Sequence, residues 1–160
     1  MIAGLSLLVA CEKMDNVRYK MAGAWSIEQL TMEFRSTTGS DSTVIYTNDG
    51  VWLMGDNAND WGNFVDIVQS HAPMGISTLE SSLSPGDSLN NSWYWYPDNL
   101  GKRLTFLSVD GDGFTDRWVI YTVKKSTRKR LEIQYIQSQS DSVLGDYVSF
   151  KEDVILKRMN

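Results

Sequence analysis

Apolar and polar residues alternate in short runs along most of this chain. Leu131, Ile133 and Tyr135 alternate with Glu132 and Gln134, and Leu104 and Phe106 flank Thr105. Each run therefore has one face set for burial and one for water. Aromatic and β-branched stretches separated by Asn, Asp, Gly and Ser predict strands at Trp25–Phe34, Thr43–Thr47, Val51–Met54, Asn63–Gln69, Ser92–Tyr96, Leu104–Val109, Trp118–Val123, Leu131–Gln137, Asp146–Phe150 and Val154–Lys157. Asn48-Asp49-Gly50 predicts a tight hairpin between Tyr46 and Trp52. Pro97-Asp98-Asn99-Leu100-Gly101 predicts a chain reversal between Trp95 and Leu104. No long helical pattern is present; Ser77–Leu83 has room for a turn or two. So many short strands with one wet face must close on themselves or stack, because open edges invite aggregation. The predicted fold is all-β and antiparallel, a barrel or a β-sandwich.

Composition narrows the picture. The 160 residues suit one domain with a real core, and no linker or repeat divides them. Cys11 is the only cysteine, which rules out an internal disulfide and a thiolate metal cage. A net charge of −5 argues against general nucleic-acid binding. Lys124-Lys125-Ser126-Thr127-Arg128-Lys129-Arg130 nevertheless gathers five cations. Set between Val123 and Leu131, with no interleaved aromatic, it reads as a solvated hairpin tip; an anionic-lipid patch is the functional alternative.

The aromatic residues are the first candidates for chemistry. In Trp93-Tyr94-Trp95-Tyr96 the two indoles share one strand face and the two phenols the other. One pair fills a core while the other shields the exterior, or the indoles line a ligand site together with Trp52, Trp61 and Trp118. Asp110-Gly111-Asp112-Gly113-Phe114-Thr115-Asp116 resembles half of a calcium loop, in which Asp110, Asp112 and Asp116 supply oxygens. Ser108 replaces the first carboxylate and Val119 stands where a bidentate Glu is needed, so a turn rich in Asp-Gly pairs is the simpler reading, with no metal or other cofactor. His71 is the only histidine, preceded by Asp66 and unaccompanied by a G-x-S-x-G elbow. No phosphate loop or recognisable carboxylate dyad is present, so the expectation is a protein that is not an enzyme.

Two resemblances supply an address and an architecture. The apolar start at Met1, followed by Leu8-Val9-Ala10-Cys11, resembles the cleavage box of a bacterial lipoprotein signal peptide, although no Lys or Arg precedes Cys11. That likeness implies removal of residues 1–10, lipidation of Cys11, a tether over 11–21, and a domain over 22–160. Glu12, in place of the Asp of inner-membrane retention, implies the outer membrane of a Gram-negative envelope. Gly23-Ala24-Trp25, the later Trp118-Val119-Ile120, the basic hairpin and the closing Val154-Ile155-Leu156-Lys157-Arg158 resemble the small bacterial lipocalin-like lipoproteins. The resemblance implies a lipocalin-like antiparallel up-and-down β-barrel, the β-sandwich being the alternative, with Trp25 across its closed end and Arg158 stacked on it. The T-D-x-x-Y loop of typical lipocalins is missing; Gly145-Asp146-Tyr147 is a partial echo. The expected role is a non-catalytic envelope lipoprotein binding a small hydrophobic ligand through Trp52, Trp93, Trp95 and Trp118. A filled barrel serving as an interaction subunit, or a glycan-binding module, is the alternative.

Overall fold

The computed structural model describes residues 17–36, 40–55, 63–80, 82–109, 115–138 and 147–160. Its strands are β1 (Gly23–Ser36), β2 (Ser42–Thr47), β3 (Gly50–Met54), β4 (Asn63–Gln69), β5 (Leu89–Pro97), β6 (Arg103–Val109), β7 (Thr115–Ser126), β8 (Arg130–Ser138) and β9 (Tyr147–Arg158). From β3 onward each strand pairs antiparallel with the next, and β9 returns to pair with β1 along almost its whole length. The other edge of β1 takes β3 against Gly23 to Ser26 and β2 against Gln29 to Phe34. β2 and β3 are therefore two halves of one wall, and the sheet is a closed, eight-walled, up-and-down barrel. Closure excludes the sandwich alternative.

Three sequence expectations need correction. Asn48-Asp49-Gly50 does not reverse the chain, because β2 and β3 run in the same direction along β1. Asn48, Asp49 and Gly50 stand opposite Ile27 and Glu28, three residues against two, which is a β-bulge. Asn48 at φ +53° and Gly50 at φ +149° supply backbone conformations that most residues resist, so the hairpin-type composition serves a kink instead. Asp146–Phe150 and Val154–Lys157 are not two strands, since β9 runs unbroken through Lys151, Glu152 and Asp153. The helical turn lies at Met74–Ser77 (α2), earlier than Ser77–Leu83. Pro73 sits at its start with φ −60°, a value already suited to helix entry, and its carbonyl accepts from the Ser77 hydroxyl. The reversal at 98–102 stands, held by Asp98 N–H donating to the Arg103 carbonyl.

The inward faces follow the alternation. Trp25, Ile27, Leu30 and Met32 of β1, Trp52 and Met54 of β3, Val65 and Ile67 of β4, Trp93 and Trp95 of β5, Leu104 and Phe106 of β6 and Leu131 and Ile133 of β8 are all buried. On β1 the buried parity switches between Ile27 and Leu30. There the pairing with β9 slips by one residue at Glu28, so the bulge keeps both halves facing the core. A first helical turn over 17–21 (α1) caps the end where β1 begins and β9 finishes, with Met21 in the core and Val17 packed against it.

The bulge tolerates nothing larger than Gly at position 50. A Cβ there would stand 2.2 Å from the Val68 carbonyl oxygen of β4, in a strained backbone region. Gly50→Ala is expected to cost about 1–3 kcal/mol, read from urea unfolding.

Candidate functional site

The end of the barrel opposite α1 is the mouth, and the chain itself occupies it. In the connection from β4 to β5, residues 72–79 fold inward so that Ala72, Met74, Ile76 and Leu79 are buried in the core. Their seat is a carboxylate. Glu152 shares the inward parity of Val154 and Leu156 on β9 and is 0% exposed. The Met74 backbone N–H donates to Glu152 Oε2, the Gly75 N–H reaches the same oxygen at 3.4 Å, and the Tyr121 hydroxyl donates to Oε1 at 2.5 Å. Tyr121 in turn accepts from the Ile76 N–H at 3.1 Å. A buried carboxylate without partners would be costly, so Glu152, Tyr121 and α2 are satisfied together or not at all.

Burial pushes the Glu152 carboxyl up to about 7, against the pull of the Tyr121, Met74 and Gly75 donors, which favour the ionised form. Burial first, and then the Glu152 charge, raise the Tyr121 hydroxyl well above its usual value. Tyr135, half-buried beside Glu152 in the β8–β9 pairing, is raised for the same two reasons.

A second fastening holds the segment at its start. Asp49, in the bulge, accepts from the His71 backbone N–H at 3.0 Å and lies 2.8 Å from His71 Nδ1. The His71 ring stacks on Tyr46, with centroids 3.7 Å apart and planes 9° apart. Buried Gln69 accepts from the Trp52 indole at 2.7 Å and donates to the His71 carbonyl. His71 thus pairs with Asp49, not with the Asp66 that precedes it in sequence.

The aromatic candidates divide. Trp52, Trp93 and Trp95 point inward and are buried beneath the plug. The Trp95 indole donates to the Gly55 and Phe64 carbonyls, and Trp52 meets Phe106 edge-on at 5.5 Å. Trp118 does not join them, since it stands on the outer wall and is 64% exposed. There the outward row Phe64, Tyr94, Leu107 and Trp118 lies cross-strand over β4 to β7. Phe64 and Tyr94 are in ring contact at 4.4 Å, and exposed Tyr96 and Ile120 flank them through Thr105. Neighbouring aromatic side chains on one sheet face support each other by about 0.2–1 kcal/mol per pair, yet an exposed band of this kind is rare on a surface that meets only water.

At the other end, Arg158 stands opposite Trp25 in the register, its guanidinium carbon 4.6 Å from the ring centroid. Its Nη2 donates to the Lys20 and Ala22 carbonyls, while the Trp25 indole donates to the Met21 carbonyl. Gly23, at φ +132°, leaves room for this guanidinium, because a Cβ there would lie 2.5 Å from Arg158 Nη1. One residue pair therefore ties together α1, the first strand and the last. Cys11, Trp61, Asp110 and Asp112 lie outside the described residues, as does the side chain of Asp116. Among the described residues, no group of three or more His, Cys, Asp or Glu is placed to hold a metal ion.

Sequence reasoning missed Glu152, Tyr121 and Asp49. For the first two the available signal was parity: an acidic residue two places before Val154 and four before Leu156, and a Tyr between Val119 and Val123. Compared with protein-family models, curated proteins and solved structures, the chain matches none.

Two outcomes follow from these geometries. The Glu152 carboxyl is raised on folding from 4.5 to about 7, so its contribution to stability is whole below pH 4.5 and is lost as pH rises to about 7. The loss should approach about 3 kcal/mol, and Glu152→Gln should flatten that part of the urea-midpoint profile. Arg158→Ala should lower stability by about 2 kcal/mol, with Arg158→Lys recovering only part of it, because a lysine cannot both stack on the indole and serve two carbonyls.

Proposed function

We propose that this chain is a lipid-anchored, non-catalytic envelope protein whose barrel is filled by its own residues and which works through its outer wall. The observation that carries the reading is the joint burial of α2, Glu152 and Tyr121. The place where a barrel of this size would hold one small ligand is taken by Met74, Ile76 and the indoles around them. The outward row of exposed Phe64 and Trp118 with half-buried Tyr94 and Leu107 between them then supplies the apolar contact surface that the interior does not offer. Interfaces are enriched in Trp, Tyr and Phe, which bury much area for little lost side-chain freedom. We take the partner to be a protein of the same envelope complex. The glycan alternative draws on the same row, since planar rings also stack on sugars. The His71 and Asp49 pair serves to fasten the plug, and the reading assigns it no reaction. The anchor itself rests on Leu8-Val9-Ala10-Cys11, and the outer membrane as its address rests on Glu12 standing in place of Asp.

Titration of the purified chain with fatty acids or a hydrophobic dye should leave intrinsic tryptophan fluorescence flat. A saturable quench would restore the ligand-cup reading. Cross-linking in native membranes should capture one reproducible protein, and Trp118→Ser should abolish the capture while changing stability by less than about 0.5 kcal/mol. Mass spectrometry of the membrane-extracted protein should find Cys11 acylated at the N-terminus; an unmodified Met1 would remove the anchor.

A further inference from the structure

We propose that the closed end of the barrel is a membrane-docking face that lies flat on bilayers with anionic headgroups. Four segments meet there: α1, the turn between β5 and β6, the turn between β7 and β8, and the end of β9. Together with the turn-ward end of β7 they carry Lys20, Lys102, Lys124, Arg128, Lys129 and Lys157, all exposed and none in an ion pair among the described residues. Apolar side chains stand among these cations: Leu100 is 67% exposed, Tyr19 61% and Met159 45%. Leu100 shares one shallow hollow with Lys20, Lys102 and Lys124, and Tyr19 shares another with Lys20, Arg128 and Arg158.

The acidic residues described at this end do little to cancel the field. Glu28 and Glu132 are both engaged by Arg130, and Asp98 accepts the Lys102 backbone N–H within its own turn. The mouth, by contrast, carries Asp41, Glu80 and Asp87 beside Arg35 and Arg117. In a chain of net charge −5, the described residues are thus electrically polarised along the barrel axis, and screening beyond about 8–10 Å lets a flat surface feel mainly the near, basic face. Cations alone would suit a nucleic acid equally well. Exposed Leu, Tyr and Met interleaved with Lys and Arg is instead the chemistry of the interface, where apolar groups enter the headgroup layer and cations meet its charge. The basic hairpin tip is one part of this surface; the rest comes from segments far away in sequence.

The geometry also agrees with the proposed anchor without depending on it. Cys11 precedes α1 by six residues, a reach of about 20 Å, so an acyl chain there would hold this same end at the bilayer. The test removes the lipid so that the two ideas can fail separately. Full-length Cys11→Ser chain is sedimented with vesicles of phosphatidylcholine and phosphatidylglycerol, and with phosphatidylcholine alone. It should partition to the anionic vesicles and be released by salt. Arg128→Gln with Lys129→Gln should weaken partitioning about 25-fold, at about fivefold per cation. Leu100→Ser should weaken it several-fold more, a loss that a purely electrostatic polyanion site would not show. Arg35→Gln, at the mouth, should change nothing. Equal partitioning to both vesicle types, an unaffected double variant, or an Arg35→Gln loss as large as that of a closed-end cation would each overturn the proposal.

Discussion

Everything in this fold depends on β1 being hydrogen-bonded along both edges. On one side it takes β9, on the other β3 and then β2, and the second pairing leaves neither the first strand nor the last with an open edge. A straight strand would not do this while keeping its apolar residues inside. The slip at Glu28 lets Ile27 and Leu30 face the same core, and the extra residue around Asn48 and Gly50 bends the facing wall to match. The clasp of Arg158 over Trp25 holds the same two strands at the closed end, where β1 emerges from α1. With a single cysteine in the chain, no disulfide is available for this task, and backbone pairing and packing carry it.

The two ends of the barrel are closed by different physics. At the closed end the contacts are a cation over an indole and guanidinium bonds to backbone carbonyls. At the mouth a desolvated carboxyl holds a single helical turn, so closure there is coupled to a proton. The neutral form suits the dry site, whereas the ionised form is better matched to the backbone N–H donors. The raised value of Glu152 records that the first effect outweighs the second.

What the sequence disclosed was local. Alternation at Leu104 to Phe106 and at Leu131 to Tyr135, and the turn at Pro97 to Gly101, pointed to strands and a reversal that the structure contains. The number of one-sided strands called for closure or stacking, and the closed barrel is what the structure contains. Non-local facts were not. Asn48-Asp49-Gly50 has the composition of a hairpin turn and of a bulge alike, because both ask for positive φ, and only the pairing of Val44 with Met32 and of Trp52 with Trp25 decides between them. Lys151-Glu152-Asp153 looks like a break because three charged residues interrupt an apolar pattern. The middle one, however, is the polar group around which the mouth is organised. Asp49 and His71 are 22 residues apart and meet only because β3 and β4 are neighbours. Trp118, grouped by type with the other indoles, faces outward because Val119 and Tyr121 hold the inward parity of β7.

Residues 70–88 are joined at both ends to adjacent walls, β4 and β5. The occupant of the barrel is therefore covalently leashed to it, and its local concentration does not change with the concentration of the protein. Dilution, washing or transfer to a new compartment leaves the lumen as full as before. Any visitor to that space must compete with a resident that never diffuses away.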